Sequence, residues 1–130
     1  MTPTFHLSLS VTDLNVTERF YADTFDARVG RRSSGWIDIW LFGAQVTAYR
    51  RPGAVVPLPQ RDAMHFGATL DWAAWQTLAA RLTTDDAPFR LPPRIDEELG
   101  QAKLMLADPD GYLIEVKAYR DPGSVLQLPR

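Results

Sequence analysis

At 130 residues the chain is long enough for one domain with a real core, and its 45% hydrophobic and 23% charged content is ordinary for a globular protein. The 14 Lys and Arg against 16 Asp and Glu leave a net charge of −2, and the arginines are scattered, which argues against nucleic acid or an anionic membrane as partner. The lack of cysteine excludes a disulfide framework, thiolate metal ligation and a cysteine nucleophile. Met1-Thr2-Pro3-Thr4 lacks the basic and apolar regions of a signal peptide, and no apolar run reaches membrane-spanning length, so a cytoplasmic location is expected.

Residues 5–11 alternate: Phe5, Leu7, Leu9 and Val11 face one way, His6, Ser8 and Ser10 the other, as in a half-buried strand. Asp13 or Asn15, with Glu18 three residues after Asn15, marks a helix start, and Val16, Phe20, Tyr21, Thr24 and Phe25 supply its inward stripe to about Ala27. Trp36 to Trp40 alternates again, and Phe42-Gly43-Ala44 turns into a strand over Gln45 to Arg50. Residues 52–62 hold three prolines and no periodicity, so they read as a linker between modules at about 4–51 and 63–120. The second module opens on a strand from His65 to Leu70 and continues with a helix capped by Asp71, whose stripe is Trp75, Leu78, Ala79 and Leu82. Pro88 ends that region, and Pro92 to Gly100 reads as a charged loop. Ala102–Ala107 and Tyr112–Tyr119 form a hairpin around Asp108-Pro109-Asp110-Gly111, where Gly111 takes positive φ. The expected class is α+β, a single domain in which strand, helix and two or three strands occur twice.

The repeat carries the chemistry. The two histidines, His6 and His65, stand at the same place in the two halves, and the closing strands both end Ala-Tyr-Arg, which sets Gln45 opposite Glu115. Two imidazoles and a carboxylate suit a first-row divalent cation, and with open positions they form the set used in non-haem Fe(II) oxygen chemistry. With Gln45 as a fourth ligand the set would favour Zn, Ni or Co as a Lewis acid on a carbonyl. Taken singly, each of these residues is ordinary on a strand surface, and only their equivalence in the repeat points to a site. Trp75 reads as core; Trp36 and Trp40 are packing residues or walls of a substrate pocket. Glu97-Glu98 and Asp85-Asp86 read as solvated loop charges. Ser8 and Ser10 lack a separate base if both histidines bind metal, which disfavours a serine nucleophile.

The duplicated strand–helix–strands pattern, the histidine heading each half, the Asp108-Pro109-Asp110-Gly111-Tyr112 turn and Glu115 four residues past Gly111 resemble the vicinal oxygen chelate superfamily. That group contains glyoxalase I, extradiol dioxygenases, fosfomycin-modifying enzymes and bleomycin-resistance proteins. Trp36-Ile37-Asp38, Leu41-Phe42-Gly43, His65-Phe66-Gly67 and Glu115-Val116-Lys117-Ala118 look closest to its small predicted extradiol-type dioxygenases. The resemblance implies two βαβββ modules forming a cupped mixed sheet around a metal, in a homodimer whose modules pair within or between chains. It puts metal ligands on His6, His65 and Glu115, with Gln45 where bacterial-type glyoxalase I has a glutamate. Met105 stands where extradiol enzymes carry a tyrosine, and no third histidine exists for proton transfer. Glu115 itself, or Tyr49, Lys117, Gln101 or Arg90, is left to handle protons. Dioxygenation of a catechol-like or hydroxy-carbonyl substrate is the first expectation, with Fe(II) favoured over Zn, Ni, Co or Mn. Lyase or isomerase chemistry is the second. The third is a binding or resistance protein holding an aromatic compound by Trp36, Trp40 and Tyr49, with Gln101 and Lys117 as further substrate contacts in the enzyme readings.

Overall fold

The computed structural model describes residues 1–57 and 64–126; residues 58–63, which include the end of the linker, and 127–130 of the tail lie outside the described residues. Two compact units emerge, Met1–Met64 with Asp108–Tyr112, and His65–Ala107 with Leu113–Arg130. The first contains β1 (His6–Val11), α1 (Leu14–Phe25), β2 (Arg28–Arg32), β3 (Trp36–Leu41) and β4 (Ala44–Arg50), followed by a 3-10 turn at Pro52–Ala54. The second contains β5 (His65–Leu70), α2 (Trp72–Thr84), β6 (Phe89–Asp96), β7 (Gln101–Ala107), β8 (Leu113–Tyr119) and a short α3 (Pro122–Val125). Each sheet has four strands, in the orders β1-β4-β3-β2 and β5-β8-β7-β6. In both, the first strand runs parallel to the last, and the other pairings are antiparallel. The protein is thus α+β, built from two βαβββ modules.

Alternation decides which face is buried. In β7 and β8, Ala102, Leu104, Leu106, Ile114, Val116 and Ala118 have no accessible surface, while the residues between them stay half-exposed. Against this apolar layer α2 lays Trp75, Ala79 and Leu82, and the Trp75 indole N–H donates to the Val116 carbonyl at 2.9 Å. In the first unit Leu9, Val11, Ile37, Ile39, Val46 and Ala48 form the corresponding layer, and α1 packs on β3 and β4. Each large aliphatic side chain so buried contributes about 1.5–3 kcal/mol.

Helix α1 differs in phase from the sequence reading. Asp13, not Asn15, is its cap, accepting from the Val16 N–H at 3.0 Å, and Glu18 instead receives Arg32 at 2.9 Å. Starting the helix at Leu14 puts Thr17, Tyr21 and Thr24 inward and leaves Val16 on the exposed side. The segment read as a charged loop after Pro88 is the strand β6 over much of its length. Its two adjacent prolines, Pro92 and Pro93, are tolerated because β6 is an edge strand with two register irregularities. In the β3–β4 hairpin Phe42 and Gly43 both have positive φ, 52° and 74°. Phe42 bears the strain of that region for a side chain, and its ring packs edge-on against Phe25 at 5.2 Å.

The turn between β7 and β8 belongs with the first unit and is tied into it by side-chain hydrogen bonds. One Asp108 oxygen accepts from the N–H groups of Asp110 and Tyr112, at 2.9 and 2.8 Å, and the other accepts from the Tyr21 hydroxyl at 2.7 Å. Asp110 accepts from the Thr12 backbone and hydroxyl, and the Tyr112 hydroxyl donates to the Ser10 carbonyl at 2.7 Å. Gly111 closes the turn at φ 84°. Burial, then the charge and hydrogen bond of Asp108, raise the Tyr21 pKa well above its usual 10. On raising pH through 10 the unfolded tyrosine therefore loses its proton before the folded one, and the folded state holds the extra proton. Stability should fall as pH rises above 10 and be unaffected by this group below it. Tyr21→Phe should cost about 1–3 kcal/mol at pH 7, by removing a donor from a buried carboxylate. The deficit relative to the unsubstituted protein should narrow between pH 9 and 11, as read by denaturant titration.

Candidate metal centre

Both histidines sit on edge strands, on the polar face that alternation sets aside. In the first unit the register pairs His6 with Gln45, Ser8 with Thr47 and Ser10 with Tyr49, so β1 and β4 present them together. Antiparallel β3 adds Trp40 opposite Gln45, Asp38 opposite Thr47 and Trp36 opposite Tyr49. The His6 Nδ1 lies 3.1 Å from the Gln45 backbone oxygen, and Nε2 lies 3.2 Å from Ser8 Oγ. Because a carbonyl can only accept, a neutral ring carries its proton on Nδ1, and Nε2 accepts from the Ser8 hydroxyl. An open pocket of about 260 Å³ is lined by His6, Trp36, Gln45 and Tyr49, joined by Arg31, Asp38 and Thr47.

Asp38 has only 2% of its surface exposed. Burial pushes its carboxyl up, but it lies directly beneath Arg31. Hydrogen bonds from Thr47 and Arg31, the Arg31 charge and a further bond from Gln45 outweigh burial and hold it below the usual carboxylate range. The stability it supplies is present above the ordinary carboxylate pKa and lost as pH falls through the lower folded value. Sequence reasoning did not single out Arg31, Asp38 and Thr47 as site residues. The available signal was a charged residue in mid-strand on the same face as two tryptophans.

In the second unit His65, Gly67 and Thr69 pair with Leu113, Glu115 and Lys117. The His65 Nε2 and a Glu115 carboxylate oxygen stand 3.7 Å apart, with 42% and 17% of their side-chain surfaces exposed. They share an open pocket of about 290 Å³ with Gly67, Thr69 and Lys117. Gly67 allows this approach, because a Cβ there would overlap the Glu115 carbonyl on the neighbouring strand. Met105 lies beside Glu115, and Lys103 lies directly opposite Lys117 with Arg94 opposite Lys103, a row of three cations across β6, β7 and β8. Like charges so placed repel, so the row costs stability and attracts anions.

The expected metal residues therefore divide into two pairs, His6 with Gln45 and His65 with Glu115, each held within its own unit. Among the described residues no group of three or more His, Asp and Glu side chains is gathered as a metal cage. The donor chemistry of the second pair suits a divalent cation. Donors each about 2.0–2.2 Å from one ion lie no more than about 4.4 Å apart, and 3.7 Å falls inside that bound. Of the expected substrate residues, Trp36, Tyr49 and Lys117 line these pockets. Trp40 and Gln101 line neither: Trp40 is 47% exposed and lies over Gly30, and Gln101 pairs with Asp96 and Tyr119. Trp75 is core, as expected, while Glu97 receives Arg120 at 2.9 Å and Asp85 caps the C-terminus of α2. No helix among the described residues is long and apolar enough to cross a membrane.

Paired βαβββ modules with a histidine heading each parallel edge strand define a protein of the glyoxalase fold. The model of the Glyoxalase/Bleomycin resistance protein/Dioxygenase superfamily matches residues 4–116, and the chain belongs to that superfamily. No curated protein matches the chain. Among solved structures, a glyoxalase/bleomycin resistance protein/dioxygenase from Alicyclobacillus acidocaldarius superimposes with a TM-score of 0.78 at 24% identity, over 95% of this chain and 96% of that one. The fosfomycin resistance protein FosX from Listeria monocytogenes does so with a TM-score of 0.73 at 19% identity, over 91% and 93%. A mutant of that FosX, complexed with Mn(II) and 1S,2S-dihydroxypropylphosphonic acid, gives 0.73 at 17%, over 98% and 99%. At these identities the likeness is one of fold.

Proposed function

We propose that the protein is a metal-dependent enzyme acting on a small substrate with two vicinal oxygens, a catechol-like diol or a hydroxy-carbonyl, with dioxygenation as its reaction. The observation that carries this reading is the convergence of His65 and Glu115 across a glycine that lets the two strands close. His6, which heads the first strand of the other half of the repeat, supplies a second imidazole with its tautomer set by the Gln45 carbonyl, and the Gln45 amide is a fourth ligand or a partner of one. A divalent cation bound by these side chains, Fe(II) ahead of Zn, Ni, Co or Mn, supplies positive charge to two neighbouring oxygens and to the catecholate or enolate charge that develops on them. Gln45 cannot act as a base, so proton movement falls to Glu115 or to the Tyr49 hydroxyl. Trp36 offers an aromatic wall, and Lys117 a charge beside Glu115. Trp40 and Gln101 would reach substrate only from outside these pockets.

A second reading, glyoxalase-like lyase or isomerase chemistry on a small thioester, hemithioacetal or keto substrate, is favoured by Met105 beside Glu115, and the Arg94–Lys103–Lys117 row suits an anionic form of such a substrate. A third, non-catalytic binding of an aromatic compound, needs only Trp36 and Tyr49. Oxygen uptake by anaerobically Fe(II)-loaded protein across a panel of catechols separates the three. Uptake supports dioxygenation; silence with Fe(II) but turnover of a hemithioacetal or keto substrate with Ni, Co or Zn selects the second reading; and ligand quenching of tryptophan fluorescence that persists in EDTA, without turnover, selects the third.

The partner expected is a second copy of the chain, with modules paired within or between chains; in the second case each site draws His6 from one copy and His65 with Glu115 from the other. Mixing His6→Ala with His65→Ala protein should then restore activity, because a mixed dimer has one site with all its ligands. If every site is made within one chain, the mixture should stay as inactive as its components.

A further inference from the structure

Arg31 and Asp38 do more than stabilise the first sheet. Asp38 is buried in the middle of β3, with one carboxylate oxygen accepting from Thr47 Oγ1 at 2.7 Å and the other from Arg31 Nε at 2.7 Å. The Arg31 side chain is 74% exposed. An ion pair with so exposed a partner adds only modestly to the stability that Asp38 supplies. What the arrangement does achieve is orientation. The bond to Asp38 commits the Nε edge, and the guanidinium carbon stands 5.2 Å from the centre of the Trp36 ring. Neither terminal nitrogen makes a hydrogen bond or ion pair among the described residues, so the Nη1–Nη2 edge is a two-pronged donor on the wall of the pocket that contains His6.

We propose that this edge binds the carboxylate of a small, single-ring organic acid, with Asp38 as the positioning residue that aims it. Two parallel N–H donors match the coplanar oxygens of a carboxylate, and the Trp36 face favours a flat ligand. A pocket of about 260 Å³ takes a single ring. The inference deepens the proposed function by naming the acidic group of its substrate, and rests on that reading only in taking the ligand to be the substrate, since every residue it uses lies in the first unit.

The test is titration of the full chain in EDTA with benzoate, benzamide and phenylphosphonate, followed by NMR of the indole N–H resonances and by calorimetry. Benzoate should bind at least roughly tenfold more tightly than neutral benzamide, with the Trp36 resonance moving, as a charge-assisted pair of bonds requires. Arg31→Gln should abolish that preference. Arg31→Lys, which keeps a cation over Asp38 but loses the fork, should reduce it severalfold. Asp38→Asn should shrink the benzoate-to-benzamide ratio, which general loosening of the sheet would leave unchanged. The proposal is overturned if benzoate and benzamide bind alike, if both Arg31 variants retain the preference, or if phenylphosphonate binds more tightly than benzoate. Benzoate binding by a protein without metal affinity would remove the metal reading and keep this one. Metal binding without benzoate preference would do the reverse.

Discussion

Gly67→Ala is expected to lower the melting temperature by roughly 10 °C or more, the shift that about 3 kcal/mol produces in a domain of this size. The added methyl group has no rotamer to escape into, because it would overlap the backbone carbonyl of Glu115. Relief requires β5 to move off β8, and their registered pairs include His65 with Leu113 and Thr69 with Lys117. The reduced freedom of an unfolded alanine offsets less than about 1 kcal/mol of this. Gly35→Ala is the matched control, since a Cβ there meets nothing within 4 Å and its melting curve should be nearly unchanged. Equal losses in the two variants, measured by calorimetry, would show that close packing of β5 on β8 is not what requires the glycine.

His65→Ala should have the opposite signature, an intact fold with lost metal affinity. The imidazole is 42% exposed and outside the apolar layer, so the metal-free variant should lie within about 0.5 kcal/mol of the unsubstituted protein. Its affinity for a divalent cation should fall at least a hundredfold. Linkage makes the effect visible without turnover: a cation at a hundred times its Kd stabilises the native protein by about 2.7 kcal/mol, a rise near 10 °C. Added Mn(II) should produce that rise in the unsubstituted protein and none in the variant. Equal shifts in both would remove His65 from the ligand set.

Much of the fold was legible in the sequence because period-two alternation is a local property. Strands β1, β3, β4, β5, β7 and β8, the Asp71 cap and the Asp108–Gly111 turn follow from residue order alone. The misses have in common that strand pairing, or competition between neighbouring caps, decided what alternation alone could not. Nothing in the residues around Pro92 says that this segment occupies a sheet edge, where a missing N–H is harmless. Asn15 with Glu18 imitates a cap locally, but Arg32 takes Glu18 and Asp13 sets the phase of α1. Arg31 and Asp38 become a unit only when β2 and β3 pair.

From the sequence by itself came the duplication, a histidine heading each half, and the faces shared by His6 with Gln45 and by His65 with Glu115; the register offsets the two halves by two residues, pairing His6 with Gln45 but Gly67 with Glu115. A repeat preserves position, and alternation preserves the face on which a side chain lies. Tertiary structure decided the distances and the partners. Lone-pair directions and donor separations depend on strand register, and register is settled by pairing between segments as remote as His65 and Glu115. That pairing brings a carboxylate to 3.7 Å from an imidazole across a glycine, and it turns an exposed arginine into an oriented one.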